Sequence, residues 1–340
     1  MKPLQRLWRC SGREEGSVLV LTAVALTGLL GFFALTLDAG VFLWERRDLQ
    51  NIADAAALAG TQELPQHPDR AIVIAREYAE RNGAVQDGRE IEGIEVVDDD
   101  TAVRVHVAHP GRPTILGRVL GIFNVDIGTR AKGALRSPME ADNVLPWGLK
   151  DSARLSYGDV VTIKYSAQNV DTGNFGPLSL PCDDHSTGAS CYRDNIRNGS
   201  HIELNQVYQT EPGNMVGPTR QGLQWRLDNT SAACDSFDEV FESLGSGEWR
   251  FRSPQCNPWS GFGEASRRVA LIPVIADTDF LGRSEVTVVS FALVFVENFR
   301  CTGGNDCNVQ VRFVRAHTDM NVLTGAYNPE VDVHLVRLVE

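Results

Sequence analysis

The chain has 340 residues, a formal net charge of −12, 43% apolar residues and 22% charged residues. That length allows one to three domains with a sizeable core, and the apolar fraction predicts that most of the chain folds. The acidic balance excludes nucleic acid as the expected partner, because phosphate recognition needs clustered Lys and Arg.

Residues 1–16 read as a short basic tail, with Lys2, Arg6, Arg9 and Arg13. Residues 17–37, SVLVLTAVALTGLLGFFALTL, follow as 21 residues without a charge. About 20 helical residues span a bilayer core. A cleaved signal would have an apolar region of roughly 7–15 residues and an A-x-A-like site. This run is longer, and Ala34-Leu35-Thr36 is a poor cleavage site, so an uncleaved anchor in membrane lipid is expected. More basic residues precede the run than follow it, where Arg46 and Arg47 stand, so the N-terminus is expected in the cytoplasm and the rest outside.

Cysteine usage fits that side. Cys10 precedes the run, and Cys182, Cys191, Cys234, Cys256, Cys301 and Cys307 follow it. An even number suits structural disulfides in an oxidising compartment. Six cysteines allow about 15 connectivities, and pairing in chain order, which closes three short loops, is the expectation. Zinc is the competing reading, but the chain has no C-x-x-C pair.

No Pro or Gly interrupts residues 41–59, and Gly40 is the weak point behind them. One rod from about residue 16 to residue 63 is predicted, roughly 70 Å long at 1.5 Å per residue. The segment 38–64 extends the anchor. In it Val41, Trp44, Asp48, Ile52, Ala55, Ala56 and Ala59 follow three- and four-residue steps and make a narrow face of mostly small residues. Such a face packs either on the chain's own domain or on a partner.

The order of Arg13 to Gly16, the apolar run, Asp38 and then Leu49 to Gly60 (LQNIADAAALAG) resembles the Tad/Flp pilus-assembly family, the TadE/TadG-like group of membrane-anchored, pilin-like proteins. The resemblance implies a single-pass protein of a bacterial pilus or secretion apparatus. It also implies partners among other Tad/Flp proteins, docked on the helix face of Trp44, Ile52, Ala55, Ala56 and Ala59. Processed prepilins of the wider class carry a Glu five residues into the mature chain. Counted from Ser17 that position is Leu21, so the unprocessed, TadG-like form is expected.

Residues 66–136 predict a small α+β module. A helix follows Pro68, with Asp69 as N-cap, Ala71, Ile74, Ala75, Tyr78 and Ala79 inward, and Gly83 as the stop. Two strands flank the Asp98–Asp100 turn, then come a short helix over 114–122 and a third strand over 125–135. His106 and His109 lie three apart on one strand, on opposite faces and without an acidic or thiol partner at suitable spacing, so no metal is expected there.

Residues 137–340 predict a β-rich module, so the fold class is α+β with an N-terminal transmembrane helix and disulfide-tied loops. In 285–296 both alternating sets are apolar, which marks a central strand covered on both faces. In 331–335 only Val331, Val333 and Leu335 are apolar, which suits a half-exposed strand. Glycine and proline in 169–235 predict turns and loops. No G-x-S-x-G, H-E-x-x-H or G-x-x-x-x-G-K-[ST] motif occurs, so neither an enzyme nor a cofactor is expected. Asp183, Asp184 and His185 read as a tied loop, and Asp277, Asp279, Gly282 and Glu285 as at most a calcium turn. Arg193, Arg197, Arg220, Arg226, Arg267 and Arg268 read as local ion pairs or as one cationic cleft. The alternatives to an assembly protein are an anchored binding module for a glycan, peptide or calcium, and a hydrolase with a nonstandard site in 169–270.

Overall fold

The computed structural model describes residues 15–153, 155–165, 175–182, 187–212, 215–245, 247–261, 265–276, 282–302, 306–318, 320–329, 331 and 333–339. Residues 1–14 of the expected basic tail, Asp183 to His185, and Asp277 and Asp279 of the expected calcium turn lie outside them. Helix α1 (Glu15–Thr61) is one rod of 47 residues, unbroken at Gly40. It is followed by α2 (Pro68–Arg81), β1 (Glu90–Val97), β2 (Ala102–Pro113) and β3 (Asn124–Pro138). Asp69 sits inside the first turn of α2 rather than at its cap, because Pro68 opens the helix with a fixed φ and no N–H to satisfy. The segment expected as a short helix holds only a 3-10 turn over 117–120. Asp98, Asp99 and Asp100 all take positive φ in the β1–β2 turn, a conformation a short polar side chain tolerates.

The small residues of α1 lie against the chain's own body. A Cβ added at Gly133 of β3 would stand 2.7 Å from the Ala57 carbonyl oxygen, and one at Gly60 would stand 2.8 Å from that of Ala71 in α2. Ile52, Ala53, Ala56 and Ala57 are buried, in a core shared with Ala71, Ala75 and Ala79 of α2, Val103, Val105 and Val107 of β2, and Ala131 of β3, and Ala59 is buried as well. The expected partner-docking face is therefore corrected at Ile52, Ala56 and Ala59. Small side chains let two backbones close up, and the second backbone belongs to the same chain. Ala55 is half-buried, and Trp44 alone of the five stands 62% exposed.

The remaining strands in chain order are β4 (Glu140–Val144), β5 (Trp147–Lys150), β6 (Val160–Tyr165) and β7 (Phe175–Ser179), then α3 (Ala189–Asn198), β8 (Ser200–Glu203), β9 (Val207–Thr210) and α4 (Val216–Asp228). After them come the single turn α5 (Phe237–Val240), β10 (Phe241–Gly245), β11 (Glu248–Phe251), β12 (Val269–Ile275), β13 (Glu285–Thr302), β14 (Asp306–His317), β15 (Thr324–Gly325) and β16 (Val333–Leu338). The span 169–235, expected as loops, thus holds two regular helices. Pro218 sits in the first turn of α4, where a missing N–H costs nothing, and Gly222 allows contact with α3, since a Cβ there would meet Ile196 Cγ2 at 2.6 Å.

Strand β13 is central, as its sequence requires. It pairs antiparallel with β12 and β14. Phe291, Leu293 and Phe295 face a core with Phe237 and Phe241, while Ala292, Val294 and Val296 face another with Leu223 of α4 and Ile196 of α3. The Phe237 and Phe295 rings meet edge-on at 5.5 Å. Strand β16 departs from expectation. It pairs parallel with β14 and antiparallel with β3, so His334, in line to face solvent, is 3% exposed. The C-terminal strand thereby joins the sheet of residues 66–136 to that of residues 137–340. Cys182–Cys191, Cys234–Cys256 and Cys301–Cys307 are disulfides, in chain order.

Candidate functional site: the junction of the long helix with the body

The helix α1 changes character at residue 38. Residues 18–37 are exposed except Ala34, which is partly covered, and from Leu49 onward one face of the helix is core. Between these lie two buried carboxylates, Asp38 (5% exposed) and Glu45 (1%), seven residues and two turns apart on one side.

Asp38 is received by the β2–β3 loop. Its carboxylate accepts from the backbone N–H groups of Ile115 (2.8 Å), Leu116 (3.1 Å) and Gly117 (2.6 Å). Burial by itself would raise this carboxyl, but the three donors outweigh it and hold it below the usual range. Glu45 accepts from Arg89 Nε at 2.8 Å and from His109 Nδ1 at 2.9 Å. Arg89 Nη2 also reaches Asp48 Oδ2 at 2.7 Å. Burial would raise the Glu45 carboxyl, and its bonds to Arg89 and His109 bring it down instead. His109, expected without an acidic neighbour, finds one 64 residues earlier in the chain. Gln50 Nε2 adds a bond to the Arg130 carbonyl oxygen of β3 at 3.1 Å. These contacts fix the rotation and height of the stem on its body.

Residues 16–63 match the family model described as putative Flp pilus-assembly TadE/G-like. The stem is thus similar to the TadE/G-like group. The Tad match takes in Asp38, Glu45, Asp48 and the alanine string, and it ends two residues past α1, so the sheets lie beyond it. No curated protein and no solved structure matches the chain.

The six arginines singled out in the sequence do not form one cleft. Arg193 pairs with Asp194 at 2.9 Å and Arg268 with Asp235 at 2.7 Å. Arg197, Arg226 and Arg267 line one cavity of about 670 Å³ with Asn143, Asn229 and Ser266. Arg226 is 2% exposed and donates to the carbonyl oxygens of Ile196 (2.9 Å) and Arg267 (2.5 Å) and to Asn143 Oδ1 (2.9 Å). Burial, with the nearby Arg267 charge, lowers its pKa to about 9, which leaves it charged at neutral pH. Its partners, which include the Val269 carbonyl oxygen of β12 at 3.2 Å, are backbone and amide oxygens, so it ties α3, α4 and β12 together. Arg267 lies over the Trp225 ring at 4.6 Å.

Proposed function

We propose that the chain is a structural, non-enzymatic component of a Tad-type pilus or secretion assembly. Residues 17–37 cross the membrane, and the body from Asp38 onward lies on the extracytoplasmic side. The observation that carries this reading is the single helix that is bare and apolar over 18–37 and then becomes the core of a folded body. Among the described residues it is the helix long and apolar enough to cross a membrane. The Tad match over the stem and three disulfides in the body support the same reading. With Ile52, Ala56 and Ala59 taken up internally, partner subunits meet the outward flank of the stem, where Leu43 (61% exposed) and Trp44 stand, and the apolar run itself. Small and polar side chains such as Gly28, Gly31 and Thr27 let helices approach within a bilayer.

The test is photo-crosslinking of the full chain in its native host, with the reactive group at position 44 or position 26, together with protease treatment of spheroplasts. The expected result is crosslinks to other Tad proteins and a body degraded from outside. A chain recovered in the soluble fraction, or a body protected from external protease, would overturn the reading.

A further inference from the structure

The loop between β2 and β3, residues 114–123 (TILGRVLGIF), exposes side chains that soluble surfaces usually hide. Ile115 is 59% exposed, Val119 85%, Ile122 49% and Phe123 62%. The loop contains one charge, the exposed Arg118, and no acidic residue. Its backbone, by contrast, is well satisfied. The N–H groups of Thr114, Val119, Gly121 and Ile122 bond to carbonyl oxygens within the loop, and Thr114 Oγ1 donates to the Ile122 carbonyl oxygen at 2.6 Å. Those of Ile115, Leu116 and Gly117 are taken by Asp38. Bare apolar side chains on a self-satisfied backbone suit a medium that supplies little water, because there an unpaired N–H is expensive.

The position of the loop says which medium. Asp38 follows the apolar run directly, so the loop it grips stands at the level where that run ends. The 117–120 turn touches α1. Ala34, one turn before Asp38 on the same face, is the partly covered residue of an otherwise exposed run. The loop therefore lies beside the last turn of the apolar helix.

We propose that residues 114–123 form a second membrane contact. Ile115, Val119, Ile122 and Phe123 enter the headgroup–acyl boundary of the outer leaflet beside the span, and Arg118 meets lipid phosphate. Arg and apolar side chains at that depth are a favourable pairing. Two contacts joined through Asp38 fix the tilt and rotation of the body on the bilayer, which a single helix leaves free. This inference rests on the anchor reading above.

The test uses the full chain with Cys10→Ser, in nanodiscs of phosphatidylcholine and phosphatidylglycerol, carrying one fluorescent label at a time. The labelled variants are Val119→Cys for the loop, Leu26→Cys for the span and Leu323→Cys for water. The Leu323 carbonyl oxygen bonds to Met139 N just past the far end of β3 from the loop. Brominated lipid is expected to quench the Val119 and Leu26 labels to within about twofold of each other, and aqueous iodide to reach only the Leu323 label. If the Val119 label behaves like Leu323 while Leu26 remains lipid-quenched, the loop proposal fails and the anchor stands. If iodide reaches all three, the anchor reading fails and the loop proposal falls with it.

Discussion

His317 and His334 face each other across β14 and β16 with ring centroids 6.1 Å apart; His334 is buried and His317 half-buried, with its ring turned inward. Burial, only partly offset by a hydrogen bond with the Gln62 backbone, lowers His317 to about 4. Burial, with the nearby His317 and Arg315, lowers His334 to about 3. An unfolded histidine titrates near 6.5. Below that value the unfolded chain binds protons that the folded chain refuses. The folded state is therefore most stable above about pH 6.5 and loses stability as pH falls, toward about 4 for His317 and about 3 for His334. Unfolding free energy, read by denaturant titration in detergent micelles between pH 8 and 5, should fall with acid by up to about 1.4 kcal/mol per pH unit for each proton. His317→Gln should make the dependence shallower, and an unchanged slope would remove the His317 ring from the account. At this scale the sequence was only partly legible. Asp38 stood out as a charge at the end of an apolar run. Glu45 did not, although its seven-residue offset from Asp38 places both on one helix side. Its partners Arg89 and His109 come from elsewhere in the chain, so no local pattern announces them.

The alanine-rich stretch of α1 shows what periodicity can and cannot decide about an element. Steps of three and four identify a face, and small side chains say that another backbone comes close. They do not say whose backbone it is. Here it is that of β3 and α2, at Gly133 and Gly60. Ala56→Leu consequently strains the chain's own core. It should destabilise the body by about 1–3 kcal/mol, as overpacking does, and lower the melting temperature followed by circular dichroism. A variant that melts like the parent would return position 56 to the surface. Helices α3 and α4 carry the complementary lesson. The glycines that flank α3 and the glycines and proline within α4 look like turn signals, yet Gly188 and Gly199 cap α3, Pro218 falls in a first turn and Gly222 at a helix crossing. Each is compatible with a helix once the tertiary contact is known.

At the scale of the molecule, β16 is the closing element. It links β3 of the stem's body to β14 of the disulfide-bearing body, and Leu335 on it is fully buried. Leu335→Ala should cost about 2–5 kcal/mol through lost burial and the cavity left behind. Because the strand belongs to both sheets, amide hydrogen exchange should quicken in β3 and β14 together. Faster exchange in β14 alone would mean that the two bodies are energetically separate.

By itself the sequence determined the apolar run, the unbroken rod, the doubly covered strand β13 and the Tad signature of the stem. Each of these is written in neighbouring residues, through helix rise, strand alternation or an uninterrupted string. Tertiary structure decided the rest. It decided where the alanine face is buried, which amides receive Asp38, how His109 meets Glu45 and why His334 is dry. Those contacts join residues tens or hundreds of positions apart. Chain connectivity places no constraint on such pairs until the sheets have formed and brought them within hydrogen-bond reach.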